Sequence, residues 1–160
     1  MQRKELPHVW EETTIESLFL VNPGHKGMVI NDETEVSFIP MTKIEENTNR
    51  IDITDFRSYK DVKKGYTKFI ENDLLFAKIT PCMENGKIVI AKNLNNKIGC
   101  GTSEVYVFRS KGSCLTKYLY YYVSQRSFRS YCVNNFTGAV GHRRVPKLCL
   151  LYTSPSPRDS

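Results

Sequence analysis

Apolar and polar positions fall in blocks along this chain, and the sharpest blocks bracket residues 73–92. Leu74-Leu75-Phe76-Ala77 and Ile88-Val89-Ile90-Ala91 are continuous apolar runs of strand length, the pattern of buried strands. Between them lie Lys78, Thr80, Pro81, Cys82, Glu84, Asn85, Gly86 and Lys87. Pro81 has no amide proton for a sheet ladder, and Asn85-Gly86 tolerates positive φ, so this segment turns. The pattern predicts a hairpin whose tip carries two lysines, a hydroxyl, a carboxylate and an amide.

Upstream, Thr13 or Thr14 caps a short helix through Ile15, Leu18 and Phe19, after a fold that starts at Pro7 and Trp10. The run from Asn22-Pro23-Gly24 to Gly27 forces an irregular loop. Met28-Val29-Ile30 and Val36 to Pro40 read as short strands around an acidic turn. Residues 43–61 are polar and poorly periodic, with Ile51, Ile53, Phe56 and Tyr59 placed for a short strand and a helical turn.

A strand through Tyr66 and Phe69 precedes the hairpin; residues 93–97 and Gly99-Cys100-Gly101 read as turns after it. Ser103 to Arg109 alternates as a strand. The period then changes, because Leu115, Leu119, Tyr122 and Val123 lie on one helical face. A second helix over Gln125–Asn135 follows a kink near Ser124. The expected class is α+β: a curled antiparallel β-sheet, or half-barrel, packed with C-terminal helices.

Composition bounds the function. At 160 residues, 40% apolar and 25% charged, the chain suits one domain with a real core. No apolar run approaches the ~20 residues of a membrane span, and no secretory leader is visible, so the expected compartment is the cytoplasm. Five cysteines, odd in number and without a CxxC pair, predict neither a disulfide framework nor a metal site. A formal charge of +6 points to an anionic partner, with nucleic acid the commonest.

Catalytic patterns are incomplete. Asn22-Pro23-Gly24-His25 lacks the second proline and aromatic ring of an adenine methyltransferase loop. Asp61-Val62-Lys63 supplies half of a nuclease motif without its Pro-Asp partner. Cys82 and His142 form a nucleophile–base pair only if the fold joins them. The expectation is a binding module with no catalytic residues and no cofactor. Its second cationic segment runs from Phe136 through Gly138, Gly141, His142, Arg143 and Arg144 to Pro146. Glycine-rich backbone approaches phosphates closely, and arginine forks grip them in pairs of hydrogen bonds.

The string Phe76-Ala77-Lys78-Ile79-Thr80-Pro81-Cys82-Met83-Glu84-Asn85-Gly86-Lys87 resembles the signature of the target recognition domain in specificity subunits of type I restriction-modification systems. Other segments match that family in order. Leu6-Pro7 with Trp10-Glu11 resembles its opening, although His8-Val9 departs from it. Val36 to Met41 resembles V-x-F-I-P-M, and Gly99 to Glu104 resembles its G-x-G-S-T-E turn. Tyr118-Leu119-Tyr120-Tyr121 with Ser127-Phe128-Arg129, and Thr137-Gly138 with Arg144-Val145-Pro146, resemble its closing helix and loop.

The resemblance implies a DNA-binding domain that reads half of a bipartite double-stranded target. Its partners would be the methylation (M) and restriction (R) subunits, which do the chemistry. The implied DNA contacts are Lys78, Thr80, Asn85, Lys87, His142, Arg143 and Arg144, with base reading from variable loops such as 43–61. Two alternatives stay open: the recognition part of a fused methyltransferase-nuclease, or a protein-interaction scaffold that docks through the tyrosine-rich helix. Residues 149–160 break the family pattern and resemble a translated sequencing adapter. That implies a recognition domain over 1–148, a non-native tail over 149–160 that packs on nothing, and a natural protein continuing beyond Leu148.

Overall fold

The computed structural model describes residues 13–112 and 115–151. The expectations for Pro7, Trp10 and Cys114, and those for residues 152–160, lie outside the described residues. The chain begins with α1 (Ile15–Leu18), β1 (Phe19–Val21), β2 (Glu35–Ile39), β3 (Phe56–Ser58), α2 (Tyr59–Val62) and β4 (Thr67–Ile70). It continues with β5 (Leu74–Ala77), β6 (Ile88–Ile90), β7 (Ile98–Gly101), β8 (Val105–Ser110), α3 (Leu115–Val123), α4 (Arg126–Asn134) and α5 (Lys147–Leu151).

The α+β class stands, with two four-stranded sheets in place of one curled sheet. The first has the order β1-β8-β5-β6 and is antiparallel throughout. The second has the order β3-β2-β7-β4, and β2 runs parallel to β7, which corrects the purely antiparallel expectation. The sheets are not closed into a barrel.

Period-two burial explains the layering. On one face of the first sheet, Leu74, Phe76, Ile88, Ile90, Tyr106 and Phe108 pack with Leu119, Val123, Phe128 and Cys132 of α3 and α4. On its other face, Leu75, Val89, Val105 and Val107 meet Ile39 and Phe69 of the second sheet. Strands with no polar face need cover on both sides, and each buried side chain contributes roughly 1.5–3 kcal/mol. The second sheet's far face buries Val36, Phe38, Ile98 and Cys100 against Val62 of α2, with Ile30 and Tyr59 packed beside them.

Local chemistry sets several boundaries. The Thr14 hydroxyl accepts the Ser17 amide at 3.2 Å and so caps α1. Helices α3 and α4 fall where the apolar period placed them, broken at Ser124-Gln125. Asp73, almost fully buried at the entry to β5, receives Arg109 of β8 at 2.7 Å and the Ile70 amide at 2.8 Å. That pair locks the two central strands together at their ends.

Two expectations change. Met28-Val29-Ile30 forms no strand, and Val29 is fully exposed. The segment follows left-handed turns at Gly24 (φ 62°) and Gly27 (φ 80°), and its Ile30 packs on the far face of the second sheet instead of pairing with a strand. Gly99-Cys100-Gly101, expected as a turn, is the body of β7 at the centre of the second sheet. Its glycines serve close approach. A Cβ on Gly99 would lie 2.1 Å from the Phe69 ring, and one on Gly101 would lie 2.0 Å from the Ile39 carbonyl oxygen.

The packed chain also runs further than expected. Leu150 of α5 is completely buried in the helix-side core, and Cys149 packs against it. The expectation that residues 149–160 pack on nothing therefore fails at these two positions.

Candidate nucleic-acid interface

Strands β5 and β6 pair as the sequence predicts, Leu74 opposite Ile90 and Phe76 opposite Ile88. The connecting segment 78–87 does not project freely. Met83 is fully buried in the helix-side core, and the backbone winds back through Met83 N–H to Ile79 and Asn85 N–H to Pro81. Gly86 supplies the positive φ, 77°, that its place after Asn85 required.

The loop after α4 is stitched onto this segment. Ile79 forms a β-bridge with Arg144, and Arg144 forms another with Thr137. The Thr80 amide donates to the Arg143 carbonyl at 3.0 Å, and the Val145 amide donates to Lys78 at 2.9 Å. The Tyr106 hydroxyl closes the junction by donating to the Val145 carbonyl at 2.7 Å. Segments joined at Ile79 and Arg144, far apart in sequence, thus place Lys78, Thr80, His142, Arg143 and Arg144 together. Residues 137–143 are exposed, and Gly138 and Gly141 adopt positive φ.

These side chains differ in what they have left to offer. Arg144 is committed: its guanidinium donates to both oxygens of Glu104, at 2.9 and 2.7 Å. That fork holds the Glu104 carboxyl below the usual carboxylate range, a shift that Lys78 and His142 reinforce by their charge. Lys78 stands with its ammonium 5.0 Å from the centre of the Tyr106 ring, a cation–π distance. Arg143 lies 5.9 Å from the centre of the Phe136 ring and pairs with no carboxylate among the described residues. Lys68 and Lys78 also line an open cleft of about 270 Å³ with Asn22, Gly24, Thr67 and Val105.

Asn85 and Lys87 face the other side of the segment, where residues 41–52 dock. Lys87 donates its ammonium to the Met41 carbonyl at 3.0 Å and is half-buried. The Asn85 amide donates to Glu46 at 3.1 Å. Thr80 donates its hydroxyl to Glu84 at 2.7 Å. The long polar stretch is ordered by an Ile44–Ile51 bridge and a Lys43–Asp52 ion pair at 2.6 Å. Sequence reasoning gave neither Asn47 nor Arg129 a role here; Asn47 lies in a run of turn-forming residues, and Arg129 was visible only as part of the Ser127-Phe128-Arg129 resemblance.

No group of three or more metal-ligating side chains occurs among the described residues. No helix among them is long and apolar enough to cross a membrane. No hydrogen bond joins Cys82 to His142 among the described residues. Burial pushes the Cys100 thiol up to about 11 and the Cys132 thiol to about 12, far from thiolate chemistry at neutral pH. His25 is buried, donates from Nε2 to the Phe69 carbonyl at 2.9 Å, pairs through Nδ1 with the Tyr59 hydroxyl at 3.2 Å, and has its pKa lowered by that burial. Lys63, of the half nuclease motif, is paired with Asp32 at 2.8 Å.

The chain is thus a two-sheet α+β scaffold with a cationic loop pair at the end of its central hairpin. Over 144 residues it is a relative of type I restriction enzyme specificity subunits. The EcoAI specificity subunit of Escherichia coli is 41% identical across 89% of this chain, and the EcoEI specificity subunit of the same organism is 38% identical across 89%. The chain spans 24% of the length of each of these relatives. No protein-family model matches it. A chain from a solved type I restriction-modification system structure shares the fold, with a TM-score of 0.68 at 14% identity. That match covers 95% of this chain and 38% of the other.

Proposed function

We propose that this chain is a target recognition domain that binds double-stranded DNA and reads one half of a bipartite site. The observation that carries this reading is the joining of segment 78–87 to loop 137–145, on a chain related to specificity subunits. Arg143, His142 and Lys78 serve as phosphate contacts, because they are cationic or titratable groups on glycine-hinged or turn backbone. Thr80 offers a polar contact beside them, and Asn85 offers one on the opposite side, next to residues 41–52. Arg144 and Lys87 act by holding the loops that carry the others.

In this proposal the chain does no chemistry. It works in the cytoplasm and positions methylation and restriction subunits on the DNA. The recognition domain extends past Leu148 through α5 to Leu151, because Leu150 is buried in its core, with the adapter-like sequence of residues 152–160 behind it. Fluorescence anisotropy with labelled duplexes tests the DNA reading. If ~4–6 phosphates are contacted, log K falls against log salt with a slope of about −4 to −5. A flat salt response, or equal affinity for every duplex sequence, overturns it.

A further inference from the structure

The six residues Glu45 to Arg50 form an exposed tip, yet four separate anchors fix it. The Asn47 amide nitrogen donates to the Gly86 carbonyl at 2.9 Å, and its side-chain amide donates to the Asn85 carbonyl at 3.0 Å. The Asn49 side chain accepts the Ile90 amide at 2.7 Å. Both asparagines sit in the left-handed region, φ 58° and 55°, which asparagine tolerates better than most residues. The fourth anchor is Arg129 of α4, which donates from one guanidinium nitrogen to Asn47 Oδ1 and to the Glu84 carbonyl, each at 3.2 Å.

That junction is tight. A Cβ on Gly86 would lie 2.1 Å from Asn47 Oδ1 and 2.9 Å from the Arg129 guanidinium, so only glycine lets the three meet. Arg129 Nε is buried with no hydrogen-bond partner among the described residues, so the guanidinium is held there at a desolvation cost. An exposed loop of ordinary connecting function needs no such clamp.

The charges of the tip say what it suits. Glu45 and Glu46 would repel a phosphate. Each uses one carboxylate oxygen within the protein, on Thr48 and Asn85 respectively. Arg50 makes no side-chain hydrogen bond among the described residues. Carboxylates accept from cytosine amino groups and arginine forks onto guanine, so this mixture fits base edges in a groove rather than the sugar-phosphate backbone.

Building on the DNA-binding role above, we propose that Arg129 is a positioning residue for sequence reading: through Asn47 it locks the Glu45–Arg50 tip in place, with Arg50 the base-contacting side chain. Arg129 itself touches no DNA. It transmits the rigidity of α4 to a loop that would otherwise sample many conformations, and a pre-set reader loses less entropy on binding.

The test uses the full chain. The preferred duplex is first selected by the wild-type protein from a random pool, and its affinity is compared with that of a scrambled duplex across salt concentrations. Arg129→Met lowers the preferred-to-scrambled ratio by about tenfold, the order of one base contact, without changing the salt slope. Arg129→Lys, which can still donate to Asn47 and Glu84, restores most of the ratio. Gly86→Ala, which expels Asn47 from the other side, reproduces the loss. Arg126→Met removes the same charge from an exposed position on α4 and leaves the ratio unchanged. Arg50→Ala alters the base preferred at one or two positions.

Equal weakening on both duplexes by Arg129→Met, with the slope reduced by about 0.9, makes Arg129 a phosphate contact and overturns the positioning role. So does an unchanged ratio. A wild-type chain with no salt-dependent binding overturns the DNA role itself, a result distinct from either. Thermal melts of each variant separate loss of reading from loss of fold.

Discussion

Arg144 grips Glu104 through two hydrogen bonds of 2.9 and 2.7 Å, and this pair, with the bridges beside it, anchors the cationic loop to the end of β8. The partnership inverts a simple charge argument. Removing a carboxylate from a DNA face should strengthen binding by Coulomb's law alone. If the carboxylate is instead the loop's mooring, its removal frees His142 and Arg143 from their places beside Lys78. Glu104→Gln is therefore expected to weaken binding to all duplexes several-fold, measured by anisotropy at fixed salt. Tighter binding by this variant would defeat the mooring role.

The same pair sets a pH dependence. Hydrogen bonding to Arg144 lowers the folded-state pKa of Glu104, so its stabilisation is present above the ordinary glutamate value of about 4.3 and is lost as pH falls through the lower folded value. Arg144 remains charged throughout. Amide exchange at Thr137, Arg144 and Val145 is expected to stay slow, after correction for intrinsic rates, down to about pH 4 and to quicken below it. Quickening that begins well above the carboxylate range would assign the loop's order to a group other than Glu104.

Arg143 and Lys87 are both basic and both near the hairpin, yet they should behave differently on DNA. Arg143 is exposed and faces no carboxylate among the described residues, whereas the Lys87 ammonium is turned inward to the Met41 carbonyl. Arg143→Ala is expected to reduce the salt slope by about 0.9 and to weaken every sequence alike. Lys87→Ala is expected to leave the slope unchanged. A slope change with Lys87→Ala would mean that its ammonium leaves Met41 when DNA arrives.

How much of this was legible in the sequence depends on the kind of signal. Strands β5, β6 and β8 and helices α3 and α4 announce themselves because burial imposes a period on side chains. The cationic loops were legible as composition. Their joining was not, since the Ile79–Arg144 bridge is a contact between distant backbones and leaves no local pattern. The contact between Asn47 and Arg129 was illegible for the same reason, although Arg129 itself stood in a family-like motif. Gly99 and Gly101 misled because glycine marks turns and close approaches alike, and only the neighbours tell them apart. Strand β7 lies between β2 and β4, so its glycines answer to Ile39 and Phe69.

That distinction is measurable. Gly101→Ala would set a methyl group 2.0 Å from a carbonyl oxygen of the β2 backbone, which cannot swing aside. Gly99→Ala would press on the Phe69 ring, a side chain held in the core. Both are expected to destabilise by about 1–3 kcal/mol in urea titration, with Gly101→Ala the worse of the two. Were the segment a solvent turn, both changes would be close to neutral.

Leu150 decides where the folded part of the chain stops. Sequence pattern alone ends the domain at Leu148, and on that basis a chain cut there should melt with the full protein. The structure buries Leu150 completely in the cluster that holds Ile15, Phe19 and Leu119, and α5 packs against α1. Truncating a buried leucine costs about 2–5 kcal/mol, because lost transfer free energy and a residual cavity add. Leu150→Ala is expected to fall in that range by urea titration. A chain ending at Leu148 should melt roughly 5 °C or more below the full chain, and one ending at Leu151 should match it. Equal melting temperatures for all three would show that α5 docks without stabilising the core and would restore the boundary at Leu148.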